Sequence, residues 1–406
     1  MAIPTPSCRI CGNPSLEDIL SLGDMPPVNS FLSGPADIAK EQKHPLAIAS
    51  CAKCTHVQLT HRLDPNDVFV DYIYFSSMSE TVVRWGEHLA ARYTKELPDT
   101  PNQLVAELAS NDGCILKPFR GRFQVLGVEP AKNIAEVANK DGVPTIAEFF
   151  NLALAKKVRA SHGPASLIIA RNVLAHVPEV VDFVQGVKHW LGDDGIFHVE
   201  APYLKPMLDH LEFDTIYHEH LSYFSVTALD WLFKEAGMVL WDVEEIPLHG
   251  GSLIARGKPS GAPKPSVAKY LEMEKAEGYT GAAKLHAFAD GTRKLKTAIP
   301  DFLHALKKEG SLAGYGAAAK GVVLTNYCNV GPDLVSWLAD RSPYKQGKLT
   351  PGMHIPVVAP QKVFDEQPKH LVVLAWNFFD EIARQLDAYK RKGGRFVLPV
   401  PTPRVA

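Results

Sequence analysis

Leu104-Val105-Ala106-Glu107-Leu108-Ala109-Ser110-Asn111-Asp112-Gly113 is a short apolar run that breaks off in a polar turn. Outward from it the same pattern recurs: Val125–Val128 ending in Glu129-Pro130, Ser166–Ala170, and Gly195–Glu200, each separated from the next by a helical stretch. Strands alternating with helices predict the α/β class and a doubly wound parallel sheet, whose ligands sit beyond the carboxyl ends of the strands. Val239–Val243 and Pro247–Ile254 read as two closing strands, with Gly250-Gly251 allowing a tight turn or the close approach of a ligand.

The turns carry the chemistry. An acidic residue ending the second strand, here Glu129, is where such sheets hold a ribose diol, because a carboxylate accepts from both hydroxyls. The first turn is not Gly-x-Gly-x-x-Gly; it has one late glycine and a polar Ser110-Asn111-Asp112 where a pyrophosphate cradle belongs. An adenosine cofactor without a diphosphate fits that turn, so S-adenosylmethionine fits and NAD fits poorly. Asn172 and His176, in the turn after the Ser166–Ala170 run, are placed to face the same crevice.

Glu212-Phe213-Asp214-Thr215-Ile216-Tyr217-His218-Glu219-His220-Leu221-Ser222-Tyr223-Phe224 puts two imidazoles, a carboxylate and a phenol into four consecutive residues. The spacing is wrong for a His-Glu-x-x-His zinc helix. Proton transfer is the better reading, since an imidazole with a carboxylate beside it is a natural general base. The stretch follows Glu200-Ala201-Pro202-Tyr203 at the end of a strand, which places it over the ligand crevice.

Before the sheet, Cys8-Arg9-Ile10-Cys11 and Cys51-Ala52-Lys53-Cys54 form two Cys-x-x-Cys pairs. Four thiolates close the coordination shell of a tetrahedral zinc ion and leave no position for substrate, so Cys8, Cys11, Cys51 and Cys54 predict a structural Zn2+ site. After the sheet, a proline- and glycine-rich linker at 257–266 and a charged helical region at 267–308 lead to Ser311-Leu312-Ala313 and the glycine loop Gly314-Tyr315-Gly316-Ala317-Ala318-Ala319-Lys320-Gly321. That loop opens a helix, and later apolar runs at 335–339, 370–375 and 396–400 complete a second nucleotide-type sheet. The expected organisation is therefore 1–70, 71–257 and 258–406. The net charge of −2 over 406 residues gives no reason to expect nucleic acid or an anionic membrane as partner. No run approaches the roughly 20 apolar residues of a membrane span, and the N-terminus lacks a signal-peptide layout, so a cytoplasmic protein is expected.

These landmarks together resemble the nucleotide-sugar C-methyltransferases, the enzymes that methylate deoxysugars at carbon. The resemblance covers essentially the whole chain and rests on the paired Cys-x-x-Cys, Tyr-Ile-Tyr-Phe-Ser-Ser at 72–77, Glu-Leu-Ala-Ser-Asn-Asp-Gly at 107–113, Asn-Val-Leu-Ala-His-Val at 172–177, Tyr-His-Glu-His at 217–220 and His-Gly-Gly-Ser at 249–252. One departure is Ala109, where methyltransferases usually have a glycine.

The resemblance implies a zinc-binding N-terminal domain, a class I S-adenosylmethionine-dependent methyltransferase domain and a C-terminal Rossmann-like domain that binds a dTDP-sugar. It implies deprotonation of a 4-keto-deoxysugar beside the ketone, with methylation at C-3. His220 would be the base, Glu219 and Tyr217 its neighbours, and His176 with Tyr72 or Tyr74 the rest of the pocket. Glu107, Ala109, Asn111, Asp112, Glu129 and Asn172 would surround the cofactor, and His249, Tyr315, Lys320 and Lys345 the nucleotide sugar. A monomer or weak homo-oligomer suits this architecture. Oxygen or nitrogen methylation of the sugar, a nicotinamide-dependent oxidoreductase or epimerase using the Gly314 loop, and a binding module built on the zinc domain stand as alternatives.

Overall fold

The computed structural model describes residues 2–65, 75–246 and 251–406. A short pair, β1 (Ile3–Pro4) and β5 (His61–Arg62), ties the N-terminus down, and the long hairpin β2 (Leu16–Met25) and β3 (His44–Cys51) carries β4 (Val57–Leu59) on its edge. Helix α1 (Glu80–Glu96) then leads into the central sheet, with Ser79 accepting from the Val82 amide as its cap.

The central sheet contains β6 (Leu104–Leu108), β7 (Gln124–Val128), β8 (Thr145–Ile146), β9 (Ala165–Arg171), β10 (Leu191–Pro202), β12 (Val239–Ile246) and β13 (Ser252–Lys258) in the order β12-β13-β10-β9-β6-β7-β8. Strands β8, β7, β6, β9 and β10 are parallel, and the last two are antiparallel. All five residues of β6 are buried, as a central strand covered on both faces requires. Helices α2 (Lys132–Lys140), α3 (Leu152–His162) and α4 (Val180–Trp190) form the crossovers. The order reverses between β6 and β9, so the turns after these two strands open a crevice at the switch point.

After the short helix α5 (Leu204–Asp209), the Glu212–Phe224 stretch runs through a turn of 3-10 helix (Phe213–Thr215) to β11 (Ser222–Tyr223). Strand β11 pairs not with the central sheet but with β4, completing the order β11-β4-β3-β2. Phe213, Ile216 and Leu221 sink into an apolar cluster shared by Leu46, Ile48 and Leu59 of the N-terminal sheet and Val322, Val323 and Leu334 of the C-terminal part. Apolar anchors at these positions turn Tyr217, Glu219 and His220 toward a cavity on the other side.

Helix α6 (Val226–Glu235) packs back on the central sheet. The charged region predicted as one helical stretch is two helices, α7 (Pro265–Ala276) and the 28-residue α8 (Ala282–Glu309), parted at Glu277–Gly281 where Gly278 adopts a positive φ of 80°. The second sheet has the order β16-β15-β14-β17-β18-β19, with β14 (Leu312–Tyr315), β15 (Leu338–Ala339), β16 (Val357–Val358), β17 (His370–Val373), β18 (Arg395–Leu398) and β19 (Arg404–Val405). Its first five strands in space are parallel and β19 closes the edge antiparallel. The run at 335–339 yields only two strand residues; Gly331 accepts from the Leu334 and Val335 amides and winds the preceding residues into a turn. Helix α9 (Ala319–Tyr327) follows β14 directly.

Candidate active site

Two cavities meet at the switch point. One, of about 820 Å³, is lined by Glu107, Ala109, Ser110, Asn111, Glu129, Phe149, Phe150, Arg171, Asn172 and His176. The other, of about 1280 Å³, is lined by Asn172, His176, Tyr217, Glu219, His220, Lys320, Arg341 and Lys345, among others. Asn172 and His176 border both, so a group presented from the first cavity reaches the second beside them.

The turns around the smaller cavity are built from uncommon backbone. Ala109, Asn111 and Asn172 all have positive φ, at 54°, 49° and 51°. Glu129 receives the amides of Asn111 and Ala131, one on each oxygen at 2.9 Å, and its pKa is nonetheless raised because burial outweighs these donors. Glu107 is buried, its Oε2 has no hydrogen-bond partner among the described residues, and burial pushes its carboxyl well above the ordinary range. Arg171 donates from Nε to Glu200 at 2.7 Å. Burial opposes ionisation of Glu200, but His198, Arg171 and the Trp85 indole bring it down to about 2, making it a fixed anion behind the cavity.

In the larger cavity the proton inventory of His220 follows from its partners. Its Nδ1 lies 3.0 Å from the carbonyl oxygen of Thr215, which only accepts, so Nδ1 carries the hydrogen. Nε2 is then the lone-pair nitrogen of the neutral ring and accepts from the Tyr217 hydroxyl at 2.7 Å. Burial, reinforced by His176, holds the imidazole well below its ordinary pKa, so the ring is neutral and carries its lone pair at Nε2. His176 stands edge-on to it with ring centroids 4.9 Å apart, and burial lowers its own pKa to about 4. Glu219 is pushed up to about 7 by burial, against the hydrogen bond from Asn29 and the charge of Lys345. His218 faces away, its Nε2 donating to the His44 carbonyl at 3.2 Å, and it does not line the cavity.

On the opposite wall Lys320 reaches Glu212 at 3.4 Å and lies over the Trp376 ring at 4.3 Å. Lys345 donates to the Ala317 carbonyl at 2.8 Å, and burial lowers its pKa. The Ala317 amide donates to Asp340, whose other oxygen receives the Ser342 amide. The glycine loop is thus braced by Asp340 and brings Lys320 and the start of α9 to the cavity edge.

The sulfur atoms of Cys8, Cys11, Cys51 and Cys54 lie within 4.8 Å of one another, with Cys8 to Cys54 at 3.4 Å and Cys11 to Cys51 at 3.6 Å. Ligands at about 2.3 Å on a tetrahedral zinc ion stand about 3.8 Å apart, so the cluster fits the ion and is far too open for disulfides. All four cysteines are free.

Comparison with known proteins agrees with this geometry. Family models match in three consecutive pieces: a zinc binding domain at 8–69, a methyltransferase domain at 72–243 and a C-methyltransferase C-terminal domain at 247–401. The C-methyltransferase NovU of Streptomyces niveus is 34% identical over 407 aligned residues, covering 99% of this chain and 97% of that protein. The chain belongs to the C-methyltransferase family. Among solved structures, an S-adenosylmethionine-dependent methyltransferase from Clostridium acetobutylicum aligns with 44% of this chain and 92% of its own at 10% identity and a TM-score of 0.36. The magnesium protoporphyrin IX methyltransferase of Synechocystis, with S-adenosylmethionine bound, aligns with 47% and 86% at 12% identity and a TM-score of 0.34.

This C-methyltransferase depends on S-adenosylmethionine, and its smaller cavity fits that cofactor. Oε2 of Glu107, without a partner among the described residues, suits an ammonium group, and Glu129 suits a ribose. Of the residues singled out from sequence, Glu107, Ala109, Asn111, Glu129 and Asn172 line it. Asp112 does not; its carboxylate accepts the Ser77 and Cys114 amides and pins the turn of Ser76–Met78. Tyr217, Glu219, His220, His176, Lys320 and Lys345 come together in the larger cavity. Tyr315 departs from the expectation: as the last residue of β14 it is buried in the cluster of Trp337, Leu371 and Tyr389, and does not reach the cavity. Tyr72, Tyr74 and His249 lie outside the described residues. Sequence reasoning missed Asn29, Phe149 and Arg171. The aromatic pair Phe149-Phe150 after β8 was the available signal for a stacking surface, whereas Asn29 and Arg171 gave none.

Proposed function

We propose that the acceptor is a nucleotide-linked 4-keto-deoxysugar, a dTDP-sugar by family resemblance, and that the methyl group goes to the carbon next to the ketone, C-3. The reading is carried by one arrangement: Asn172 and His176 join the cofactor cavity to a cavity in which neutral His220 holds its lone pair at Nε2.

The Tyr217 hydroxyl first turns its hydrogen from Nε2 to the ketone oxygen of the bound sugar, which frees the Nε2 lone pair. His220 then takes the proton from the carbon beside the ketone; the C–H electron pair becomes the carbon–carbon double bond of the enolate, and the carbonyl π pair moves to the oxygen that Tyr217 now faces. S-adenosylmethionine, when bound, supplies an electrophilic sulfonium methyl group to that carbon. His176, neutral and bordering both cavities, shapes the junction between them. At the far end Lys320, Lys345 and Arg341, with the N-terminus of α9, provide donors and positive charge for a diphosphate.

The test is transfer from trideuteromethyl S-adenosylmethionine to a panel of nucleotide-linked 4-keto sugars, located by NMR. Label on carbon beside the ketone is expected. Label on oxygen or nitrogen would overturn the carbon acceptor, and no transfer to any keto sugar would overturn the substrate class.

A further inference from the structure

The N-terminal domain contributes a side chain to the larger cavity. Strand β2 ends at Met25, and the chain then turns through Pro26-Pro27-Val28-Asn29, residues that line the cavity apart from Val28, which is buried in the shared apolar cluster. The Ser30 amide returns to the Pro27 carbonyl at 3.1 Å and the Phe31 amide to the Asn29 carbonyl at 3.0 Å, so the turn is closed on both sides of Asn29. Its amide nitrogen Nδ2 lies 2.6 Å from Oε1 of Glu219, a contact between residues 190 positions apart. Among the described residues no other side chain donates to that carboxylate; Lys345, whose charge acts on it, gives its hydrogen bond to Ala317.

An amide suits this place for a chemical reason. Toward an ionised Glu219 it donates through Nδ2, and toward a protonated one it can accept through Oδ1. The contact therefore survives a change in the protonation of Glu219, which neither a lysine nor an aspartate in its place would allow.

We propose that Asn29 is a positioning residue for the methyl transfer, clamping the carboxyl group of Glu219 in one orientation in both of its protonation states. The proposal rests on the reading that Glu219 faces the reacting sugar. It makes the zinc-bound domain part of the active site and gives its proline-braced turn a task. Asn29 itself is exposed to the cavity, so replacing it opens no hole in the core.

The experiment compares the wild type with Asn29→Asp and Asn29→Ala in the full-length, zinc-loaded enzyme, measuring kcat and KM across pH. Aspartate keeps the shape but sets a second carboxyl against Glu219, and two acids sharing one site force one of them to hold its proton to higher pH. The near-neutral limb of the pH profile is expected to move up by about one unit or more in Asn29→Asp and by less in Asn29→Ala, with kcat reduced about tenfold at pH 7. Zinc content, melting temperature and S-adenosylmethionine affinity should stay at wild-type values in both variants. An unchanged profile and kcat in Asn29→Asp would overturn the proposal, as would an activity loss that tracks lost zinc or lost stability. A wild type inactive on every keto sugar fails the proposed function instead, and the two failures are told apart by the wild-type control.

Discussion

Tyr217 donates its hydroxyl hydrogen to Nε2 of His220 across 2.7 Å, because the Thr215 carbonyl claims the other ring nitrogen. The imidazole is thereby fixed in one tautomer before any substrate arrives, and burial keeps it neutral through the neutral range. Replacing His220 with Ala should lower kcat by about 10²- to 10⁴-fold, the usual range for a positioned general base, while leaving S-adenosylmethionine affinity unchanged. Tyr217→Phe keeps the ring but removes the donor, and should cost less in kcat than His220→Ala. Calorimetric titration of the cofactor beside steady-state rates checks both; equal rates for wild type and His220→Ala would remove the imidazole from the mechanism.

Zinc should matter to catalysis through the backbone. Cys51 ends β3, β3 carries β4, and β4 holds β11 and accepts no slack, since the Leu59 amide donates to the Leu221 carbonyl next to His220. Removing the ion with a chelator, or by Cys54→Ser, is expected to lower the melting temperature and to reduce kcat more than it weakens cofactor binding. Metal analysis, thermal melts and cofactor titration on the same samples decide the point. Full activity in a zinc-free sample would show that the hydrogen bonds alone hold the stretch in place.

How far the sequence reaches is clear from particular residues. Glu107 and Glu129 were legible because strand ends fix the positions of the residues that follow them, and the two Cys-x-x-Cys pairs because local spacing sets the bite on a metal. His220 was legible as a candidate base by chemical type. Its tautomer was not, because Thr215 supplies the deciding carbonyl only once the Phe213–Thr215 turn has formed. Asn29 was illegible for a stronger reason: its partner lies 190 residues away and meets it only because β11 joins the N-terminal sheet. Tyr315 erred the other way. A tyrosine inside a glycine loop looks like a ligand contact, but alternation along β14 directs it into the core.

Cofactor binding should take its pH dependence from Glu107. Burial holds this carboxyl well above the ordinary range in the free protein, so as pH falls through that raised pKa the group becomes neutral. A cationic ligand prefers the ionised form. S-adenosylmethionine affinity should therefore rise with pH through the free-protein pKa of Glu107, with protons released on binding. Calorimetry in two buffers of different ionisation enthalpy counts those protons. Glu107→Gln should bind more weakly and lose the pH dependence; a variant that keeps both affinity and proton release would assign the linkage to another group.

Ala109 offers a stability test in the same turn. Its φ of 54° is a left-handed conformation that a Cβ makes costly, by about 1–2 kcal/mol, and the strain is borne at the junction of β6 with the cofactor cavity. Glycine removes that strain but adds freedom to the unfolded chain, which takes back roughly half of the gain. Ala109→Gly is thus expected to stabilise the protein by about 0.5–1 kcal/mol, seen as a higher denaturant midpoint at an unchanged slope. Cofactor affinity should change little, because the backbone already holds the binding geometry. A destabilised Ala109→Gly would mean instead that the alanine methyl group makes packing contacts worth more than the strain it imposes.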